Sequence, residues 1–317
     1  VNFDFNIMAT YYDQNKYNLL REEYEFFRFQ RYDYTFDKDT LSAKFYFSLD
    51  DKYFFTPSFE IPQRSFYNWS DINKNQLDTI LFNIGMIELI SYWKLACPKK
   101  VYISPFNLDS NQIIWWKKLY FNGLGEFFYL NGIKENVNDF MDIICESDVV
   151  CEKVDVFLKG TTLVPIGGGK DSVVTVESLK NKMPIIPLII NPRGATKECV
   201  EVAGFSMEQT AVIKRNLDAT MLRLNNEGFL NGHTPFSAML AFYTLLIGFV
   251  TNSKFIALSN ESSANEPTVP DTEVNHQYSK SIAFENDFRS YVDEYISSEI
   301  QYFSFLRPLN ELQIARF

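Results

Sequence analysis

Cysteine and histidine are both scarce in this 317-residue chain, which has four of the first and two of the second. No Cys-x-x-Cys pair occurs, so zinc ribbons and thioredoxin-like redox sites are excluded. A disulfide framework is not expected either, because so few cysteines cannot form enough disulfide bonds to stabilise a chain of this length. The four residues are Cys97, Cys145, Cys151 and Cys199.

The sequence also has relatively few positively charged residues and few long apolar runs. Lys and Arg number 30 against 40 Asp and Glu, a net charge of −10, which argues against a protein whose main task is to bind nucleic-acid phosphates. The longest apolar run, residues 235–250, is shorter than the ~20 residues that span a bilayer and predicts a buried core helix. The first twenty residues lack the apolar core of a signal peptide. We therefore expect a soluble, cytoplasmic protein with no nucleic-acid or membrane partner.

Aromatic residues are abundant, with 30 Phe and 18 Tyr, and they are frequent in residues 1–150, which we expect to form an N-terminal α+β domain. Segments 44–49 and 53–59 predict a β-hairpin. Residues 76–96 have the apolar period of a helix, and the tryptophans at 115–116 lie in a second predicted helix. Such aromatics are more typical of a core than of a binding platform, and this half carries no catalytic signature.

The second half, residues 151–317, alternates short apolar strands with helices, which predicts a parallel α/β sheet. The predicted strands are residues 162–166, 185–190 and 255–259, and the predicted helices are residues 171–181, 206–225, 234–251 and 279–297. Thr234 and Ser279 are the predicted N-caps of the last two helices. Because Val1 is not a Met and residues 309–317 resemble a helix that has just begun, we expect a longer natural protein, with this domain truncated at its C-terminus.

A glycine-rich turn joins the first strand of this half to its first helix: Gly167-Gly168-Gly169-Lys170-Asp171-Ser172. Glycines let the backbone turn tightly and expose its N–H groups, and the helix points its positive end at the loop, so the sequence predicts an anion site. Lys170 adds a mobile positive charge, and Ser172 can cap the helix and donate to a phosphate oxygen. Asp171 fits beside phosphates through a bridging cation, which makes it a candidate Mg²⁺ ligand.

Two other phosphate-binding motifs do not fit this loop. A Walker loop needs Ser or Thr where Asp171 stands, and the dinucleotide fingerprint needs Gly where Ser172 stands. The run resembles instead the Ser-Gly-Gly-x-Asp-Ser loop of the ATP pyrophosphatase (PP-loop) enzymes, which cleave ATP between the α and β phosphates; Gly167 replaces the Ser. This implies a parallel-sheet PP-loop (HUP-like) nucleotide-binding domain over residues 151–317. A purely structural glycine-rich turn is the alternative interpretation.

Polar segments follow the loop along the chain: residues 230–237, 258–266 and 274–280. Ligands of parallel sheets bind outside the carboxyl ends of the strands, which is where the second segment falls. Both histidines, His233 and His276, lie in these segments; the structural alternative for each is a capping or core role. Glu261 can bind metal, relay protons or only order its loop. Arg193 suits a substrate carboxylate, and a solvated side chain fits it equally well.

Taken together, several segments resemble the UDP-N-acetylmuramoyl-L-alanyl-L-glutamate epimerase family, MurL. They are residues 166–172, 191–194, 230–237, 258–266 and 274–280. The run 258–266 is long and specific, whereas the phosphate loop alone would not separate this family from its relatives. The resemblance is dense over residues 160–317 and weak before them. It implies an ATP- and Mg²⁺-dependent epimerase that converts the terminal L-Glu of UDP-MurNAc-L-Ala-L-Glu, a peptidoglycan precursor, to D-Glu.

The implied reaction explains the use of ATP. Transfer of AMP to the α-carboxylate removes its charge and acidifies the α-hydrogen, so that a base can take the proton and a donor can return it on the opposite face. We assign proton transfer to His233, His276, Glu261 and Lys280, phosphate binding to residues 167–172 and Asn260, and substrate binding to Arg193 and Asn275.

Other functions can use the same loop. One is the activation of a carbonyl for amide or sulfur transfer, which the lone Cys199 of the α/β half and the acidic composition disfavour. The other is a non-catalytic regulator, which would bind ATP without forming AMP and pyrophosphate.

Overall fold

The computed structural model describes residues 14–37, 40–265 and 278–317, which contain eleven strands and ten α-helices. The strands are β1 (Phe26–Phe36), β2 (Thr40–Leu49), β3 (Tyr53–Phe55), β4 (Ser58–Pro62), β5 (Lys100–Ile103), β6 (Asp142–Cys145), β7 (Lys159–Pro165), β8 (Ile185–Ile190), β9 (Ala211–Asn216), β10 (Ser253–Leu258) and β11 (Gln301–Ser304). The helices are α1 (Gln14–Glu23), α2 (Lys74–Trp93), α3 (Ser110–Gly123), α4 (Gly125–Leu130), α5 (Lys170–Leu179), α6 (Gly194–Val202), α7 (Ala219–Asn226), α8 (Phe236–Val250), α9 (Ile282–Tyr295) and α10 (Glu311–Ile314).

One mixed sheet contains all the described strands, in the order β11-β10-β7-β8-β9-β4-β2-β1-β5-β6, with β3 paired to β2. The strands from β11 to β9 are parallel to their neighbours, and β4 joins β9 in antiparallel fashion. In this parallel part the strand order reverses between β7 and β10, as in doubly wound sheets that bind nucleotides. The predicted α/β class with a parallel sheet in the second half is confirmed.

The predicted hairpin forms between β2 and β3. Its turn residues Asp50 and Asp51 have φ values of 53° and 48°, the left-handed conformation that tight hairpin turns require. The second predicted strand, 53–59, is divided, because β3 ends before Pro57 and β4 then pairs separately with β2. The predicted helix over residues 76–96 corresponds to α2, which begins with a reciprocal Asn73–Gln76 capping box and is buried from Gln76 onward.

Hydrophobic packing occurs on both faces of the sheet. On one face, α2 and α8 pack against the sheet and form a large hydrophobic core, which includes residues from both predicted domains. A smaller core lies under α5 and α6 on the other face, where Val164 and Ile166 of the β7 region point opposite to Leu163. The sheet is continuous from β4 to β9 across the predicted boundary at residue 150, and the division into two domains stays a prediction.

The predicted helix over residues 206–225 is wrong. β9 runs through its middle, between a 3-10 turn at Met207–Gln209 and α7. This strand pairs with β8 on one side and β4 on the other, and its apolar residues Ala211, Val212 and Ile213 are buried. Pairing within the sheet therefore outweighed a local pattern that favours a helix, since periodicity alone cannot assign a short apolar run.

Two predicted helix caps are also wrong by one or two residues. Pro235, not Thr234, is the N-cap residue of α8, and the Thr234 hydroxyl accepts a hydrogen bond from Lys94 Nζ instead. Ser281, not Ser279, caps α9 by accepting a hydrogen bond from the Phe284 N–H at 3.2 Å. α8 is the buried core helix that its apolar run predicts, and no helix in the described ranges is long and apolar enough to cross a membrane.

Candidate active site at the carboxyl ends of the parallel strands

The predicted phosphate loop, residues 167–172, runs from the carboxyl end of β7 into the first turn of α5. Gly168 has a φ of +81°, and a Cβ at this position would lie 3.1 Å from backbone atoms of Ala195 and Thr196, so the position requires glycine. At Gly167 and Gly169 a Cβ would meet no described atom within 4 Å. The departure from the PP-loop pattern at position 167 is therefore not forced by packing, because a serine fits there.

We expect opposite results from substitutions at the neighbouring glycines. Gly168→Ala should lower the free energy of unfolding by about 1–3 kcal/mol, because alanine is strained at positive φ and its Cβ presses on the start of α6. Gly167→Ser should stay within about 0.5 kcal/mol of the parent protein. Urea denaturation of both variants measures the difference, and equal stabilities would contradict the loop geometry.

The amino end of α5 is open toward the loop. Gly169 is its N-cap residue and supplies no side-chain acceptor for the N–H groups of the first turn. The prediction that Ser172 caps this helix is wrong, because its hydroxyl lies inside the first turn and donates to Gly169 O at 2.9 Å. Uncapped N–H groups at a helix amino end suit an anion, so the geometry supports the predicted phosphate site, while phosphate binding itself stays a prediction.

Two carboxylates lie beside Lys170 at the start of α5. Its Nζ is 2.5 Å from Asp171 Oδ1 and 3.4 Å from Glu311 Oε1 on α10. The hydrogen bond to Asp171 raises the pKa of Lys170, so the side chain stays charged at neutral pH. The role of Asp171 as a Mg²⁺ ligand stays a prediction, and no group of three or more His, Cys, Asp or Glu side chains forms a metal site among the residues described.

Arg193 follows β8 and is the N-cap residue of α6, whose first turn contacts Gly168. The turn before it is fixed by Asn191, which has a φ of 52°. Asn191 Oδ1 accepts a hydrogen bond from Arg215 N at 2.7 Å, and Asn191 Nδ2 donates to Arg215 O at 3.0 Å. The ends of β8 and β9 are thereby joined, and Arg193 lies next to the phosphate loop.

Asn260 and Glu261 follow β10, the strand beside β7. Asn260 Nδ2 donates to Ser304 Oγ at 3.0 Å. The Glu261 carboxylate is buried and accepts hydrogen bonds from the N–H of Ser263, at 3.0 Å, and from its hydroxyl. This contact is the loop-ordering role that the sequence allows for Glu261; a catalytic role for it stays a prediction.

Arg307 connects two predicted catalytic segments, although no sequence pattern singled it out. Its guanidinium donates to Glu261 O at 3.1 Å and to Lys280 O at 2.7 Å. The buried Glu285 carboxylate, 3.0 Å from Arg307 Nη2, balances the charge. The backbones of Glu261 and Lys280 are therefore held together at the end of β10.

His233 lies in the loop before α8, with its Nδ1 3.8 Å from Glu126 Oε2 on α4. Lys94, which follows the last residue of α2, donates from Nζ to Thr234 Oγ1 at 2.8 Å and to Gly232 O. A short connection takes α8 into β10, so the amino end of α8 and the carboxyl ends of the strands lie at the same end of the sheet. The His233 loop is therefore at the phosphate-loop end of the molecule.

Lys94 is only 5% exposed, and both of its hydrogen-bond acceptors are uncharged. Burial lowers the pKa of Lys94 from 10.5 to about 8. At pH values between these two, the unfolded chain binds the proton and the folded chain has released it. This residue therefore adds stability as the pH rises from 8.

The free energy of unfolding of the wild-type protein should rise relative to that of Lys94→Met by on the order of 3 kcal/mol from pH 7.5 to 10.5. Urea denaturation of both proteins across this pH range measures the difference. A difference that falls or stays constant would contradict the buried environment of Lys94.

The described residues include all but two of the predicted site residues, and contacts bring several of these together. Asn275 and His276 lie outside the described residues, and their roles stay predictions. Contacts join the phosphate loop to the α6 start at Arg193, and Arg307 joins Glu261 to Lys280. The residues that the sequence did not reveal are Lys94, Glu126, Arg307 and Glu311.

The four cysteines are poor candidates for sulfur chemistry. Burial raises the pKa of every one of their thiols, to about 12 for Cys151. Since the thiolate is the reactive form of cysteine, this environment disfavours the sulfur-transfer alternative.

Comparison with known proteins relates nearly the whole chain to one family. A family model described as the MurL N-terminal domain matches residues 19–305. A protein of Xanthomonas oryzae pv. oryzae, named UDP-N-acetyl-alpha-D-muramoyl-L-alanyl-L-glutamate epimerase, is 32% identical over 247 residues, which are 77% of this chain and 54% of that protein. A protein of the same name from Salinispora tropica is 30% identical over 290 residues, 89% of this chain and 62% of that protein.

The chain thus spans between half and two thirds of the length of these relatives. No solved structure matches it. The matched region begins well before residue 150, so the family relationship includes the aromatic first half as well as the parallel strands.

Proposed function

The chain belongs to the MurL N-terminal domain family, and on this premise we propose that the protein is an ATP-dependent epimerase acting on UDP-N-acetylmuramoyl-L-alanyl-L-glutamate. It inverts the terminal L-Glu to D-Glu, consumes ATP with release of AMP and pyrophosphate, and acts in the cytoplasm on a peptidoglycan precursor. The family relationship confirms the resemblance found in the motifs, and the names of the relatives support the substrate.

The position of the phosphate loop is the observation that carries the proposal. The loop follows β7 at the point where the strand order reverses toward β10, and ligands of doubly wound sheets bind in the crevice at this point. A phosphate chain fits the uncapped amino end of α5 and the charged Lys170. These features support a PP-loop (HUP-like) domain.

Transfer of AMP from ATP to the substrate α-carboxylate, with pyrophosphate as the leaving group, removes the carboxylate charge and makes the adjacent hydrogen acidic enough to remove. Hydrolysis of the acyl adenylate by water after inversion releases AMP and the free carboxylate. Lys170 and the N–H groups at the start of α5 hold the phosphates. Asn260, at the end of β10, would contact the nucleotide, and the Asp171 carboxylate would hold a Mg²⁺ ion that offsets phosphate charge. Arg193, beside the loop, meets a substrate carboxylate.

Inversion needs a proton acceptor on one face of the α-carbon and a donor on the other. His233 and His276 fill these roles in our proposal, because imidazole changes its protonation state near neutral pH. Glu261 and Lys280, whose backbones Arg307 joins, are proposed to relay protons, and Asn275 is proposed to orient the substrate.

A product assay tests the reaction class. The protein is incubated with Mg·ATP and UDP-N-acetylmuramoyl-L-alanyl-L-glutamate, with a control that lacks the dipeptide nucleotide. We expect AMP and pyrophosphate to form only in the complete mixture. Sulfur or nitrogen found in the product by mass measurement would favour carbonyl activation for transfer; ATP binding without AMP formation would favour a regulator.

A further inference from the structure

Lys94 reaches from the end of α2 to both neighbours of His233. Its ammonium donates to the Gly232 carbonyl before the histidine and to the Thr234 hydroxyl after it, the latter at 2.8 Å. We propose that Lys94 is a positioning residue that fixes the His233 backbone for proton transfer. This inference rests on the proposed function, because it assumes that His233 exchanges a proton with the substrate.

Burial of an ammonium beside uncharged acceptors is unfavourable for folding. Lys94 is 5% exposed, and an apolar side chain would fill the same space without that penalty. Its two hydrogen bonds therefore serve the geometry of the loop between α7 and α8 rather than the stability of the core.

Further contacts hold the same loop from α4 and from Asn131, the residue that follows this helix. Asn131 Nδ2 donates to Asn231 O at 3.0 Å. Gly232 has a φ of +155°, and a Cβ there would lie 3.1 Å from the Phe127 ring, so the turn is held against α4. The backbone around His233 is thus fixed by contacts from α2 and α4.

Glu126, also on α4, faces the Nδ1 side of the His233 ring at 3.8 Å. A carboxylate on that side favours the imidazole tautomer that carries its proton on Nδ1, which leaves Nε2 able to accept a proton. Orientation of an acid–base group by a second residue is a common requirement of proton transfer. Lys94 and Glu126 both belong to the first half of the chain, which thereby acquires a part in the active site.

The test compares Lys94→Met and Thr234→Val with Lys99→Met, a control at a nearby lysine whose side chain is 53% exposed. Because the sequence has two histidines, imidazole ¹⁵N NMR gives two sets of signals, and His276→Gln assigns them. We expect both test variants to move the His233 signals and leave those of His276 unchanged. Lys94→Met should slow exchange of the substrate α-proton by roughly ten- to a hundredfold, with ATP affinity within about twofold of the wild type.

A folded Lys94→Met protein with wild-type His233 signals and a wild-type exchange rate would overturn the proposal. If Lys94→Met does not fold, the same signals in Thr234→Val decide, because that variant removes one of the two bonds and nearly preserves the side-chain shape. Failure of the wild-type protein to exchange the α-proton with ATP would instead count against the proposed function, while the His233 signals would still report whether Lys94 fixes the loop.

Discussion

Lys170→Met should form AMP from ATP and the dipeptide nucleotide about 100 to 1000 times more slowly than the wild-type protein. The expected loss follows from the removal of a preorganised positive charge from the phosphates that leave in the reaction. Lys170 begins α5, and its Nζ lies between two carboxylates in the described structure, Asp171 at 2.5 Å and Glu311 at 3.4 Å. Bound phosphates would compete with these carboxylates for the same ammonium. Methionine keeps most of the length of the side chain and a similar helix propensity while it removes the charge.

Lys182→Met is the matched control, because Lys182 is an exposed lysine just past the other end of α5. We expect its rate of AMP formation to equal that of the wild type. Equal rates for Lys170→Met and Lys182→Met would contradict the assignment of Lys170 to the phosphates, provided that both variants melt at the wild-type temperature.

Glu88→Gln should lower the free energy of unfolding by about 3–5 kcal/mol, a large part of the total of most domains. Glu88 on α2 is 1% exposed and receives two hydrogen bonds from the Arg215 guanidinium, at 2.5 and 2.6 Å, and one from Tyr243 at 3.0 Å. Burial opposes the charge of Arg215, but attraction by Glu88 outweighs it and raises the pKa of Arg215. Neutralising Glu88 therefore leaves a buried positive charge without its counter-ion.

Urea titration measures the loss of unfolding free energy in Glu88→Gln. Two controls distinguish the effect of burying the ion pair from the effect of removing a charge. Glu227→Gln breaks an exposed pair with Arg223, whose side chains are 46% and 54% exposed, and should change stability by no more than about 0.5 kcal/mol. Replacing Glu88 and Arg215 together by Leu and Met should recover most of the lost stability. A Glu88→Gln loss no larger than that of Glu227→Gln would show that the ion pair is not buried as described.

Local patterns sufficed to predict the glycine-rich turn at residues 167–172 and most of the elements around it, while phosphate binding by this turn stays a prediction. The run from Gly167 to Ser172 carries its own turn chemistry, and β7, α5 and β8 formed close to their predicted bounds. The need for glycine specifically at position 168 was not visible in the sequence, because it arises from contact with Ala195 and Thr196 on α6.

β9 was mistaken for helix because its apolar residues are few and helix-forming residues flank them. Its strand character comes from pairing with β8 and β4, partners that local periodicity cannot detect. Lys94 and Glu126 were missed for a related reason. They meet the His233 loop from α2 and α4, over separations that no local motif covers. Both lie in the half where the sequence showed no catalytic signature.

Proton NMR of UDP-N-acetylmuramoyl-L-alanyl-L-glutamate in D₂O tests the central claim most directly. With the protein, Mg²⁺ and ATP present, we predict that the glutamate α-proton signal disappears and that D-Glu accumulates, whereas both changes are absent without ATP. Retention of the α-proton and of the L configuration in the complete mixture would contradict the proposal that this chain serves an ATP-dependent epimerase.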